Sequence, residues 1–439
     1  MPIDRQGHRL SGADAEAARH IDAAVAQFGI YRGDPIAELD RALAVAPRCS
    51  MALLAKGWLL GLATEPAATR EARALLDLAR ALPLDERESA HRAALALLLD
   101  GRWDDAALAL DYANMRWPRD ILALQVGHLI DFYRANARNL RDRIARALAR
   151  WSPEEPGYPL VLGMYAFGLE ETGDYARAED VGREAIDREP LDCWAHHAVA
   201  HVMEMQGRAQ DGIGWMVARE PYWSGDDNFF KVHNHWHRAL YHLDLGQHDQ
   251  ALALYDGAVR RASSAVALDL VDASAMLWRL ELLGVGVGER WGEVAHAWDA
   301  HADGSSYPFN DWHAVMAYLG AGRDADVQRV EQSMVRAAGE STPLADWIRT
   351  AGLPLVRGFV AFRRGDPRGA LEHLHPARFV ANRFGGSHAQ RDVIDWTLAE
   401  AALRAGRGDM ARAFAHERRA LKPHSPLSRG LLARAQQLD

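Results

Sequence analysis

Small and apolar residues return along this chain in a fixed order around glycine turns. In Gly173-Asp174-Tyr175-Ala176-Arg177-Ala178, followed by Ala185 and Pro190, each small residue stands where an antiparallel helical hairpin needs one. The glycine makes the turn, Ala178 and Ala185 let the two helices approach, and Pro190 ends the second helix. The same turn recurs at Gly101-Arg102, Gly207-Arg208, Gly246-Gln247, Gly322-Arg323 and Gly406-Arg407, with further copies at Gly33-Asp34-Pro35 and Gly365-Asp366-Pro367. Gly284 fills the interval between Gly246 and Gly322.

From Gly173 onward, spacings between neighbouring turns run from 34 residues into the low forties, which describes degenerate repeats. A single hairpin cannot bury its apolar stripe, so neighbours must stack. The pattern predicts an all-α chain: a tetratricopeptide-type α-solenoid of about nine to eleven hairpins in a curved superhelix. No linker interrupts it, so residues 1–439 read as one domain.

Composition narrows the class. The chain is 49% hydrophobic and 25% charged, which suits a well-packed protein. A net charge of −9 without a lysine- or arginine-rich face argues against nucleic acid as a partner. Two cysteines, Cys49 and Cys193, make no disulfide framework and suit a reducing cytoplasm. The apolar stretches near Met51–Ala63 and Ala93–Leu99 are too short, or too charged, to span a membrane.

Histidine is the unusual chemistry. Eight of the twenty histidines lie between His196 and His248. If the first helix of each hairpin lines the concave face, His197, His201 and Glu204 fall on one inward stripe, with His196 on the packing face. Asn234-His235-Trp236-His237 precedes Gly246 by the same count as Asn310-Asp311-Trp312-His313 precedes Gly322. Trp236, Trp312 and Trp396 then occupy the inward position that His197 holds in its own repeat. Imidazoles and indoles along one groove describe a pocket with flat apolar walls and polar tips.

Each candidate has a plainer reading. Two histidines and a carboxylate are enough for Zn(II) or Fe(II), but the spacing lacks the His-Glu-x-x-His order, and no metal ligand is assigned. Acid–base chemistry needs no metal, because imidazole titrates near neutrality. Cys193 stands four residues before His197, as a nucleophile pair would, although a buried cysteine more often packs as a small hydrophobe. Arg391-Asp392 also reads as an ion pair in a first helical turn. Ser387 and Gln390 form a capping-box pattern. Three loops at repeat junctions, beginning at Glu220, Asp303 and Gly385, are where solenoids commonly place function.

Together, His197 to Arg208, Trp215-Met216, Arg219-Glu220-Pro221-x-Trp223, Asn228-Phe229, His233-Asn234-x-Trp236-His237, Leu240 to Asp244 and Gly385 to Val393 resemble the tetratricopeptide repeat protein 38 family. The resemblance covers nearly the whole chain and is weakest before Ala18. It implies the solenoid fold and places His197, His201, Glu204, His233, His237, His313, His388, Arg391 and Asp392 in the family signature. It brings no reaction, partner or residue role.

The resulting expectation is a concave pocket for a small molecule, with His197, His201, Glu204, His237 and His313 as acid–base residues. His233, Trp236, Trp312, His388, Arg391 and Asp392 would bind the ligand, with Arg391 holding an anionic group and Glu204 orienting His201 or His197. Hydrolysis, lyase chemistry or isomerisation would follow, with the cofactor unknown. The competing expectation is a non-catalytic scaffold for a protein partner. Exposed apolar faces at the ends of a solenoid are compatible with a homodimer.

Overall fold

The turn glycines do what their spacing demands. Gly33, Gly101, Gly173, Gly207, Gly246, Gly284, Gly322, Gly365 and Gly406 all have positive φ, as at Gly173 (82°) and Gly246 (71°). A residue with a Cβ is strained there. Two turns escape this signature because Thr64 (φ 57°) and Ala135 (φ 42°) take the left-handed position without glycine.

The computed structural model describes residues 2–438, which form eleven hairpins and a closing helix, Pro426–Ala435. Among these residues the only β pairings are two isolated bridges. In each hairpin the first helix is the more deeply buried. Ile121–Tyr133 is buried on almost every side, whereas its partner Ala137–Leu148 buries only Leu140, Arg143, Ile144 and Ala147. The first is apolar all round and the second is amphipathic, as inner and outer layers require. First helices pack on first helices: Ser50–Gly61 on Glu86–Leu99, Ala267–Leu282 on Pro308–Gly320, and Pro308–Gly320 on Leu353–Arg363. This is the stacking of a tetratricopeptide array.

Contacts divide the chain into two compact units. One holds the residues up to Val199 with Pro221–Lys231, and the other Ala200–Glu220 with Val232 onward. The boundary falls inside the helix Cys193–Met205, where sequence composition gives no sign of it.

Within the first unit, the opening hairpin returns to the later ones. Gln125 donates to the Phe28 carbonyl (2.8 Å), the Cys193 thiol donates to the Ile30 carbonyl (3.1 Å), and the Tyr31 ring stacks on Trp194 at 5.5 Å. The loop before Lys231 finishes the closure through Gly33 N–H to Asp227 O and Phe229 N–H to Tyr31 O. This loop, expected to carry function, is a clasp: its backbone groups are spent on pairing.

The second unit closes in its own way. Lys422 Nζ meets Glu204 Oε1 at 2.6 Å, with both residues buried, and the Ser425 hydroxyl donates to Asp244. Gly207 completes the fit, since a Cβ there would lie 3.1 Å from the Ser425 nitrogen. These contacts join the end of the last hairpin to the helices Cys193–Met205 and Lys231–Asp244.

Close helix approach makes a direct test. A Cβ on Gly168 would lie 2.6 Å from backbone atoms of Arg141, while one on Gly214 would meet nothing within 4 Å. Gly168→Ala should cost about 1–3 kcal/mol by forcing two helices apart. Gly214→Ala should gain up to about 1 kcal/mol from helix propensity. Thermal unfolding of both variants checks this; equal effects would refute the packing.

Candidate functional site

The helix Cys193–Met205 carries three histidines, His196, His197 and His201. In the first unit, the His197 ring lies against Phe167 (5.3 Å, stacked), Trp194 (5.1 Å) and Phe230 (5.0 Å). His196 reaches the Pro190 carbonyl at 3.2 Å. Burial pushes the Cys193 thiol well above its ordinary range, so it is a packed thiol and not a nucleophile.

His201, one turn further along, belongs to the second unit, where its ring centroid lies 4.5 Å from that of His237. The helix Lys231–Asp244 places His233 and His237 four residues apart on one face, and His233 Nε2 lies 3.2 Å from His237 Nε2. From the next hairpin, Asp272 on Ala267–Leu282 accepts from His233 Nδ1 at 2.8 Å. The carboxylate thereby fixes the proton on Nδ1 and leaves the His233 Nε2 lone pair turned inward. His201 and His237 are fully buried, whereas the His233 side chain is 14% exposed. Burial, reinforced by His201 and His233, holds His237 well below the ordinary imidazole range.

Trp236 lies beside this cluster, stacked on His233 at 5.3 Å. The Arg279 guanidinium also lies 5.3 Å from the Trp236 ring centre. Arg279 is 1% exposed and donates to the carbonyls of Ala275 (3.2 Å), Ala389 (2.9 Å) and Gln390 (3.4 Å). The other buried arginines each hold a carboxylate: Arg87 with Asp120, Arg143 with Asp131, Arg260 with Glu293 and Arg418 with Asp392. Arg279 has none within ion-pair reach among the described residues. Burial lowers its pKa to about 10, against the charges of Asp392, Glu204 and Asp272, which raise it.

Trp312 and His313 form a second cluster in this unit, with Phe309, Phe359 and Phe384 around them. His313 Nδ1 donates to the Phe309 carbonyl at 2.8 Å, and burial holds its pKa at about 3. It is a neutral imidazole at every physiological pH. Several fully buried polar tips of the unit have no hydrogen-bond partner among the described residues: His313 Nε2, Trp312 Nε1, Trp236 Nε1, Asp272 Oδ1 and both amide atoms of Asn234.

Several expected roles are corrected by the partners these residues take. Glu204 is held by Lys422 and does not orient a histidine. Asp392 pairs with Arg418 at 2.8 and 3.1 Å instead of with Arg391, and that guanidinium holds its carboxyl well below the usual range. Arg391 donates to the Gly385 and Gly386 carbonyls, so it braces the loop where an anion anchor was expected. His388 opens the helix His388–Arg404, whose capping box between Ser387 and Gln390 forms as expected. Sequence reasoning missed Asp272, Arg279 and Lys422. A signal existed for the first two: they stand seven residues apart, hence on one face, in a largely apolar helix.

The first unit offers a contrast. His91 accepts from Trp58 Nε1 (3.1 Å) and meets Asp120 at 2.8 Å, and Asp120 also holds Arg87 at 3.0 Å. That network ties three successive first helices together and reads as structural.

No protein-family model matches the chain. Solved structures similar to it include a chain of the APC/C hetero-tetramer Cut9-Hcn1, at 17% identity and a TM-score of 0.44 over 97% of this chain and 77% of that one. A chain of the human IFIT1 dimer with PPP-AAAA matches at 12% identity and a TM-score of 0.43, over 97% of this chain and 95% of that one. Likeness at this level transfers no function.

The environment of His313 fixes the sign of a pH effect. Its folded pKa of about 3 lies below the ordinary imidazole value, with Arg279 as the charged neighbour that reinforces burial. Between these values the unfolded chain binds a proton that the folded chain does not, so stability falls as pH falls from neutrality. His313→Phe should remove this contribution, gaining on the wild type by about 1–2 kcal/mol between pH 6.5 and 5. Urea unfolding at the two pH values checks it; an unchanged difference would contradict the assignment.

Proposed function

We propose that the interior of the second unit binds a small anionic molecule and transfers a proton on it. The reading is carried by Arg279, a fully buried guanidinium with no carboxylate within ion-pair reach among the described residues. The carboxylates that act on it, Asp392, Glu204 and Asp272, do so from beyond ion-pair reach, and an anionic ligand group would supply the direct contact. The orphan polar tips of Trp236, Trp312, His313 and Asn234 supply further hydrogen-bond capacity, which buried polar groups ordinarily satisfy. The indoles would offer the flat apolar walls.

The proton-transfer element is the Asp272–His233 pair with His237 and His201 behind it. Asp272 holds the tautomer, and the inward His233 Nε2 is the basic atom. Glu204, Lys422, Asp392 and Arg418 serve as the charged frame that keeps the interior shut. We also propose membership of the tetratricopeptide repeat protein 38 family, because His201, His233, Trp236 and His237, which carry part of that resemblance, are the residues of this cluster.

The test uses thermal shifts with inorganic phosphate, aliphatic mono- and dicarboxylates and small phosphate monoesters. At a hundredfold excess over its dissociation constant, a binding anion stabilises by about 2.7 kcal/mol. At least one of these anions should raise the melting temperature of the wild type but not of Arg279→Met. The variant should itself be no less stable than wild type when free of ligand, because a buried charge without an ion-pair partner has been removed. An anion response that survives in Arg279→Met, or none in the wild type, overturns the proposal.

A further inference from the structure

The three imidazoles of the second unit are arranged as more than a hydrogen-bonded cluster. One ring nitrogen each of His201, His233 and His237 lies within 4.8 Å of the others, on two different helices. His233 Nε2 and His237 Nε2 are 3.2 Å apart. Tetrahedral coordination with metal–nitrogen bonds of about 2.0–2.1 Å sets neighbouring ligand nitrogens about 3.3 Å apart. That pair already stands at ligand spacing. The His201 nitrogen needs to move by at most about 1.5 Å, the difference between 4.8 Å and that spacing.

We propose that His201, His233 and His237 bind one divalent first-row transition metal of the zinc class. Two features support it. Asp272 holds the proton of His233 on Nδ1, which is the carboxylate–histidine arrangement that orients a metal-binding imidazole and raises its basicity. The set is all nitrogen, with no sulfur, which suits zinc, cobalt, nickel or copper over magnesium or calcium.

This inference deepens the proposed function at the same cluster and rests on it only in taking the cluster as the reactive centre. The metal would supply the basic group by making its water acidic near neutrality, while Arg279 holds the anionic part of the ligand. The substrate class that fits is an anionic molecule with an electrophilic carbonyl or phosphoryl centre open to water.

The full chain, freed of metal by chelation, is titrated with Co2+ and then with Zn2+. The expected result is uptake of one equivalent, the visible d–d bands of tetrahedral Co2+, and their loss on Zn2+ addition. His233→Ala and His237→Ala should abolish uptake. Asp272→Asn should keep the stoichiometry and weaken binding by about 10–100-fold. His296→Asn, altering a side chain that is 88% exposed, should change nothing and controls for surface histidines. Circular dichroism reports whether each variant folds; if an alanine variant does not, the Asp272→Asn affinity decides. Absence of one-equivalent uptake by the folded wild type, or uptake indifferent to these changes, overturns the metal. An Arg279-dependent anion response persisting in such a metal-free protein would leave the proposed function standing.

Discussion

The buried ion pair between Lys422 and Glu204 is the constraint on which the second unit depends. It joins the end of the last hairpin to the helix that opens the unit. Removing one partner of such a pair strands the other charge, a loss of about 3–5 kcal/mol. With this contact in place, inward side chains line an interior, and each polar atom there must find its partner inside. His201 and His237 of the histidine cluster are fully buried in this unit. The first unit obeys the same logic with different chemistry, closing on Tyr31, Trp194 and the backbone of Asp227 and Phe229.

Both units keep buried polar atoms without a hydrogen-bond partner among the described residues: Trp194 Nε1 and Asp192 Oδ2 in the first, and the tips of Trp236, Trp312, His313 and Asn234 in the second. They differ in their buried arginines. Arg87 and Arg143 of the first each hold a carboxylate, Asp120 and Asp131, whereas Arg279 of the second has none within ion-pair reach among the described residues. The proposed function rests on that difference.

Much of the fold was legible because a left-handed turn favours glycine, and glycines mark nine of the turns. The turns at Thr64 and Ala135 were not, since the backbone there takes strain that the sequence does not announce. The histidine stripe was legible in part: helical spacing pairs His233 with His237, but it cannot say that His197 and His201 fall in separate compact units. The role of Glu204 was misjudged because its partner lies 218 residues away, beyond any local pattern. Arg391 was overvalued for the opposite reason. A charged residue in the first turn of a helix was read as a ligand anchor, whereas the nearby carbonyls of Gly385 and Gly386 take it. Asp272 and Arg279 were within reach, as charges on one face of the apolar helix Ala267–Leu282.

The central claim is that the histidine cluster lies inside a unit closed by Lys422 and Glu204. Deuterium exchange at the imidazole C2 position, followed by mass spectrometry, measures this residue by residue. The account predicts slow exchange at His201, His237 and His313 against fast exchange at the exposed His296, with His201 and His237 accelerated in Lys422→Met. Exchange at His201 and His237 as fast as at His296 in the wild type would contradict it.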